Sequence, residues 1–155
     1  MKGQETQIDE IWNDEKQDEL KRFVLLHSKE QTKERKLANQ LLSIQYKMED
    51  YIRNENESEE VLKIIDFVKM YLKILDITQK RLANLFEMKD SNLHKYLVGE
   101  RKLNSDLVLK LSHFSHTKPE YWIIIQVKNE LMELRKEKKN SDHYSKYDYK
   151  NLMAV

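Results

Sequence analysis

The chain has 155 residues, 39% of them hydrophobic and 35% charged, a length and balance that suit one modest core with long solvated helices and exclude two full globular domains. Two glycines and one proline leave little material for hairpin turns, which argues against a β-rich fold, and the lack of cysteine excludes a disulfide framework, a zinc–thiolate cluster or a thiol nucleophile. A formal net charge of +1 means that any contact with a polyanion must rest on local charge, not on a generally basic chain.

That charge is uneven. Met1 to Glu57 holds 10 basic and 13 acidic residues, Ser58 to Arg135 holds 13 and 11, so a mildly basic body follows a segment ill suited to lie along phosphate. No apolar run approaches the length of a membrane span, the longest being Tyr121 to Val127. The expectation is a cytoplasmic protein with no membrane partner.

From the start of the chain, Ile8, Ile11, Trp12, Leu20, Phe23 and Val24 recur at spacings near three and four, predicting amphipathic helix to about Leu26. Ser28 with Gln31 reads as a capping box that opens a second, long helix. Leu37, Leu41, Ile44, Met48, Tyr51 and Ile52 form its apolar stripe, which either pads a core or faces another chain. Asn54 to Ser58 has no apolar residue and reads as a linker ending in an N-cap.

A core helix is predicted from Glu59, with Val61, Leu62, Ile65, Val68, Leu72 and Leu75 on one face, stopping at Asp76. Thr78 caps a short helix with Leu82, Ala83, Leu85 and Phe86 apolar, and Gln79, Lys80 and Arg81 pointing outward. Leu93, Tyr96, Leu97 and Val98 supply a further short helix closed by Gly99. Asn104 or Ser105 starts a fourth, with Leu107, Val108, Leu111 and Phe114. Thr117-Lys118-Pro119-Glu120 opens a fifth with a capping box and an early proline. The fifth runs to about Lys138. Lys139 to Val155 has three tyrosines and no stripe, and reads as a flexible tail of the kind that folds onto a partner.

Two short helices joined by a few residues inside a five-helix bundle suit the insertion of one helix into a major groove. The stretch TQKRLANLFEMKDSNLHKYLVG, with Gln79, Leu82-Ala83 and Leu93 to Gly99, resembles the lambda-repressor/Cro (XRE) helix-turn-helix family. Arg101-Lys102-Leu103-Asn104 and Pro119-Glu120-Tyr121-Trp122 resemble more narrowly the HigA-type antitoxins. The resemblance covers about half of the chain. It implies an all-α, five-helix lambda-repressor-like DNA-binding domain over 58–138, an N-terminal helical extension over 1–57 and the tail over 139–155. It also implies a homodimeric repressor of double-stranded operator DNA, and the antitoxin of a RelE- or ParE-type toxin held by the N-terminal helices, the tail or both.

In the frame of that family, Asp90, Ser91, Asn92, His94 and Lys95 face the bases. Asn92 matches adenine, Lys95 guanine or phosphate, and Asp90 cytosine. Gln79, Lys80, Lys89, Arg101 and Lys102 hold phosphates and set orientation. A dimer is expected because one short recognition helix reads few base pairs. The chain departs from the pattern at Glu87, where the family often has glycine. Glutamate in a left-handed turn costs about 1 kcal/mol or more, so a longer or differently shaped turn is expected.

Other constellations point to no chemistry. His113 and His116 lie three apart, but no cysteine or carboxylate alongside completes a ligand set, so they read as surface or capping residues. Trp122 reads as core or dimer packing. No nucleophile elbow, phosphate-cradling glycine loop or paired-carboxylate cleft is visible, so neither an enzyme nor a cofactor is expected. Two other readings compete: a stand-alone regulator, and an interaction adaptor that no longer reads DNA.

Overall fold

The computed structural model describes residues 14–55, 60–137 and 141–153. Among them every regular element is helical and there is no strand, as the shortage of turn residues predicts. The chain divides after Gln40 into two compact units, so the last part of the helix that precedes the linker belongs to the second.

Helix α1 runs unbroken over Asp14–Arg53. The break expected at Ser28 does not occur: the segment contains no glycine or proline, and the Ser28 carbonyl takes an additional bond from Thr32 Oγ1, one turn on, at 2.6 Å. Ile8, Ile11 and Trp12 lie outside the described residues. In the first unit every side chain described between Glu15 and Gln40 is exposed.

In the second unit, Ile44, Met48 and Tyr51 at the end of α1 are buried, which settles the open reading of that stripe in favour of core for these three. Five helices complete the core: α2 (Ile64–Leu75), α3 (Gln79–Leu85), α4 (Asp90–Leu97), α5 (Ser105–Ser115) and α6 (Pro119–Glu137). Helix α2 starts five residues after the predicted Glu59, because its cap comes from within: Asp66 accepts from the Lys63 amide at 2.8 Å. Ser58, the predicted cap, lies outside the described residues.

Thr78 and Asn104 cap as predicted, accepting from the Arg81 and Leu107 amides at 3.2 and 2.8 Å. Thr117 does not. Its hydroxyl turns inward, 2.6 Å from Ser115 Oγ, and accepts from Trp122 Nε1 at 3.1 Å. It thereby supplies the polar partner a fully buried indole needs.

Helices α2, α3, α4 and α5 each end on a left-handed residue: Asp76, Glu87, Gly99 and His116. Three of these four are not glycine. In a chain this poor in glycine, the 6→1 bond that closes a helix compensates for the backbone strain, as Ile77 N–H to Leu72 C=O at 3.0 Å does after α2. His116, at φ 54°, is therefore a helix-capping histidine.

Phe67, Tyr71, Leu82, Leu93, Leu97, Leu111, Trp122 and Ile125 form the buried centre. Phe114 meets Tyr71 and Phe86 edge-on, with centroids 6.0 and 5.9 Å away. Burial pushes the Tyr71 phenol up to about 12. Helix α6 is fastened to the end of α1. Tyr51 Oη donates to Asn129 Oδ1 at 2.5 Å, Tyr121 Oη to Glu49 at 2.7 Å, and Lys128 Nζ to the carbonyls of Tyr51 and Asn54.

The tail, in which the absence of an apolar stripe predicts no helix, does contain helical turns. Residues 141–153 form short helical turns, α7 (Ser141–Tyr144), a 3₁₀ turn (Ser145–Tyr147) and α8 (Lys150–Met153). Local polar bonds hold them: Ser145 Oγ to Asp142 C=O at 2.7 Å, and Asn151 Nδ2 to Lys146 C=O at 2.9 Å. Such turns need no apolar stripe, which is why periodicity misses them.

Candidate nucleic-acid interface

Helices α3 and α4 are joined by residues 86–89, and the geometry of that turn decides where α4 points. Glu87 occupies the left-handed position at φ 57°. The longer or reshaped turn expected from a glutamate there is not found. Glu87 N–H donates to Asn84 C=O at 3.1 Å and Met88 N–H to Ala83 C=O at 2.9 Å, the paired 5→2 and 6→1 bonds of a Schellman ending. Lys110 of α5 donates to the Phe86 carbonyl at 2.7 Å while its ammonium lies 2.9 Å from Asp106. A charged donor at the end of α3 offsets orphan carbonyls and anchors the turn to the core.

Across this turn Gln79 Nε2 donates to Asp90 Oδ1 at 2.8 Å. The bond ties the first residue of α3 to the first residue of α4 and adds to the seating that buried Leu82, Ala83, Leu93 and Leu97 give the two helices. Asp90 also carries its negative charge at the N-terminus of α4, where the helix dipole favours it.

Leu93 and Leu97 seat α4 in the core with at most 1% of their surface exposed. Ser91 and Lys95, one turn apart, project from the opposite side, and Asn92 and His94 flank them. Asp90, Ser91 and His94 are exposed, while Asn92 and Lys95 are half-buried. All five predicted base-facing residues thus lie on one short helix, with Asp90 already engaged by Gln79.

The predicted phosphate contacts frame this helix. Lys80 stands exposed on α3 and Lys89 is exposed at the N-cap of α4; Gln79 is half-buried and turned to Asp90. Arg101 and Lys102 are exposed in the connection after Gly99. The Arg101 guanidinium lies 5.9 Å from the Tyr96 ring centroid, and Lys102 Nζ sits 3.9 Å from Glu130. Between Thr78 and Lys102 six basic side chains face three acidic ones, so the local charge is positive where the whole chain is near neutral.

Three residues that serve this surface were not singled out from the sequence. Lys110 holds the turn. Gln126 of α6 accepts from the Leu103 amide at 2.7 Å, fixing the connection that carries Arg101 and Lys102. Arg81 adds an exposed cation beside Lys80. The outward position of Arg81 was legible from periodicity; the other two act across 24 and 23 residues of chain and leave no local signal.

Among the described residues no group of three or more His, Asp or Glu is placed to bind a metal, and no helix is long and apolar enough to cross a membrane. Compared with known proteins, the chain matches no family model, no curated protein and no solved structure.

Proposed function

We propose that this chain is a sequence-specific DNA-binding repressor of lambda-repressor-like fold, acting as a homodimer, with α4 as the helix that enters the major groove. The observation that carries this reading is the clasp between Gln79 and Asp90 across a turn closed at Glu87. It supports a fixed orientation of α4, which carries exposed Ser91 and His94 and half-buried Asn92 and Lys95, with cations at both ends. Rigid placement of base-reading side chains by backbone-gripping neighbours is what direct readout requires.

The antitoxin half of the reading rests on the resemblance to HigA-type antitoxins. Its partner surface is best supplied by the tail, where Tyr144, Tyr147, Tyr149 and Leu152 are all more than 60% exposed. Aromatic anchors on a short polar segment are suited to insertion into pockets of another protein.

The direct test is fluorescence anisotropy with the DNA upstream of the chain's own reading frame and with a scrambled duplex, at two salt concentrations. Sequence-preferring binding that weakens with salt, and a loss of about 1–3 kcal/mol in Lys95→Ala, support the reading. Equal, weak binding to both duplexes overturns it. For the toxin, removal of residues 139–155 should abolish capture of a co-expressed RelE- or ParE-type protein while leaving DNA affinity unchanged.

A further inference from the structure

From Glu15 to Gln40, helix α1 exposes every described side chain. An isolated helix is marginal in water, and most helices in proteins are held by burying an apolar face. This one has a face to bury. Leu20, Phe23, Val24 and His27 follow one another at helical spacing, with 48%, 66% and 55% of the three apolar residues exposed. The Phe23 and His27 rings stack in nearly parallel planes, 5.8 Å apart. Leu25 and Leu26 carry the apolar surface further round the helix, each above 60% exposed.

Charge says what covers it. Continued in both directions, the same seam places Lys16 one turn before Leu20, and Glu30 and Glu34 one and two turns after His27. The seam is therefore basic at its start and acidic at its end. A parallel second helix would stack Lys16 on Lys16, Glu30 on Glu30 and Glu34 on Glu34. An antiparallel one, with its two-fold axis crossing the seam midway between Lys16 and Glu34, brings Lys16 to Glu34 of the second copy and sets Glu30 beside Leu20 instead of a like charge. The helix dipole does not account for this arrangement, since Glu30 and Glu34 lie about five turns or more before the C-terminus at Arg53, and dipole effects fade within the last turn.

We propose that residues 16–34 form an antiparallel homodimerisation helix, its occupant a second copy of this chain. The proposal deepens the proposed function by supplying the dimer that reading needs, and its own evidence lies in α1 alone.

Because the natural chain has no cysteine, single thiols report the pairing cleanly. Under mild oxidation, a mixture of Lys16→Cys and Glu34→Cys full-length proteins is expected to give the mixed disulfide dimer in preference to either self-linked one. In sedimentation equilibrium the natural protein should be a dimer at micromolar concentration. Phe23→Glu should be monomeric, with the unfolding transition of the second unit retained. Glu34→Lys should weaken the dimer about tenfold, and adding Lys16→Glu should restore it.

A natural protein that stays monomeric at tens of micromolar, self-linking of Lys16→Cys, or an unaffected Phe23→Glu dimer overturns the proposal; the first would assign the face to some other protein. Operator binding measured on the same samples keeps the two readings apart. A dimer that ignores its operator sinks the DNA reading alone, and a monomer that still reads a half-site sinks this one alone.

Discussion

Gln79 and Asp90 stand eleven residues apart in the chain and meet across the turn between α3 and α4, amide to carboxylate at 2.8 Å. The bond is exposed, so its contribution to global stability is small, and it adds a polar link between the two helices at the end where α4 begins. Gln79→Ala should therefore weaken operator binding about three- to tenfold while shifting the melting temperature by no more than about 2–4 °C. Anisotropy and a thermal melt on the same preparation check both halves. A large loss of stability with unchanged DNA affinity would assign the bond a purely structural role.

Glu87 is held left-handed by backbone bonds on either side, at a cost glycine would not incur. Glu87→Gly should stabilise the fold by about 0.5–1 kcal/mol, read as a higher urea midpoint at unchanged slope. Glu87→Val, branched at Cβ, should move the midpoint the other way.

Trp122 is fully buried, and its indole donates into the pair formed by Thr117 and Ser115. Trp122→Phe keeps much of the apolar volume but withdraws the donor from a buried hydroxyl. The expected cost is about 1–3 kcal/mol in chemical denaturation. Adding Thr117→Val should not recover it, because the hydroxyl still has Ser115 Oγ as a partner at 2.6 Å and its removal takes that bond as well.

Tyr71 gives a pH signature. Burial raises its phenol from 10.0 to about 12, so above pH 10 the unfolded chain gives up a proton that the folded chain keeps. The stabilisation is complete below pH 10 and is lost as pH rises through about 12, amounting to roughly 1–3 kcal/mol. Tyr71→Phe should remain folded to higher pH than the natural protein, a difference visible in the far-ultraviolet circular dichroism of an alkaline titration.

The five core helices were legible because their apolar residues repeat on one face. Ile65, Val68 and Leu72, then Leu82 and Ala83, then Leu93 and Leu97 are buried where periodicity puts them. Boundaries were less legible where capping departs from the usual pattern. Lys63 is an uncommon N-cap, and the carboxylate of Asp66, three residues on, supplies the bond from inside the helix. Ser28 looked like a helix start because serine often is one, whereas nothing in α1 compels a break. Of the candidate interface, spacing gave the exposure of Lys80, Asp90, Ser91 and His94 but not the half-burial of Gln79, Asn92 and Lys95, nor the fastening. The Gln79–Asp90 bond and the grip of Lys110 and Gln126 join separate elements, and Leu85, apolar and in phase, nevertheless stands 66% exposed.

The fastening of α6 to the end of α1 also sets an order of events during synthesis. Tyr51 finds its hydroxyl partners in Asn129 and Met132, 78 and 81 residues later, and Lys128 bonds the carbonyls of Tyr51 and Asn54. At ribosomal speeds of roughly 5–20 residues per second, on the order of 4–16 seconds separate the translation of the face carrying Ile44, Met48 and Tyr51 from that of its last supporting helix. A nascent chain halted before α6 therefore displays that face to chaperones, and release from them should track the emergence of Lys128 and Asn129.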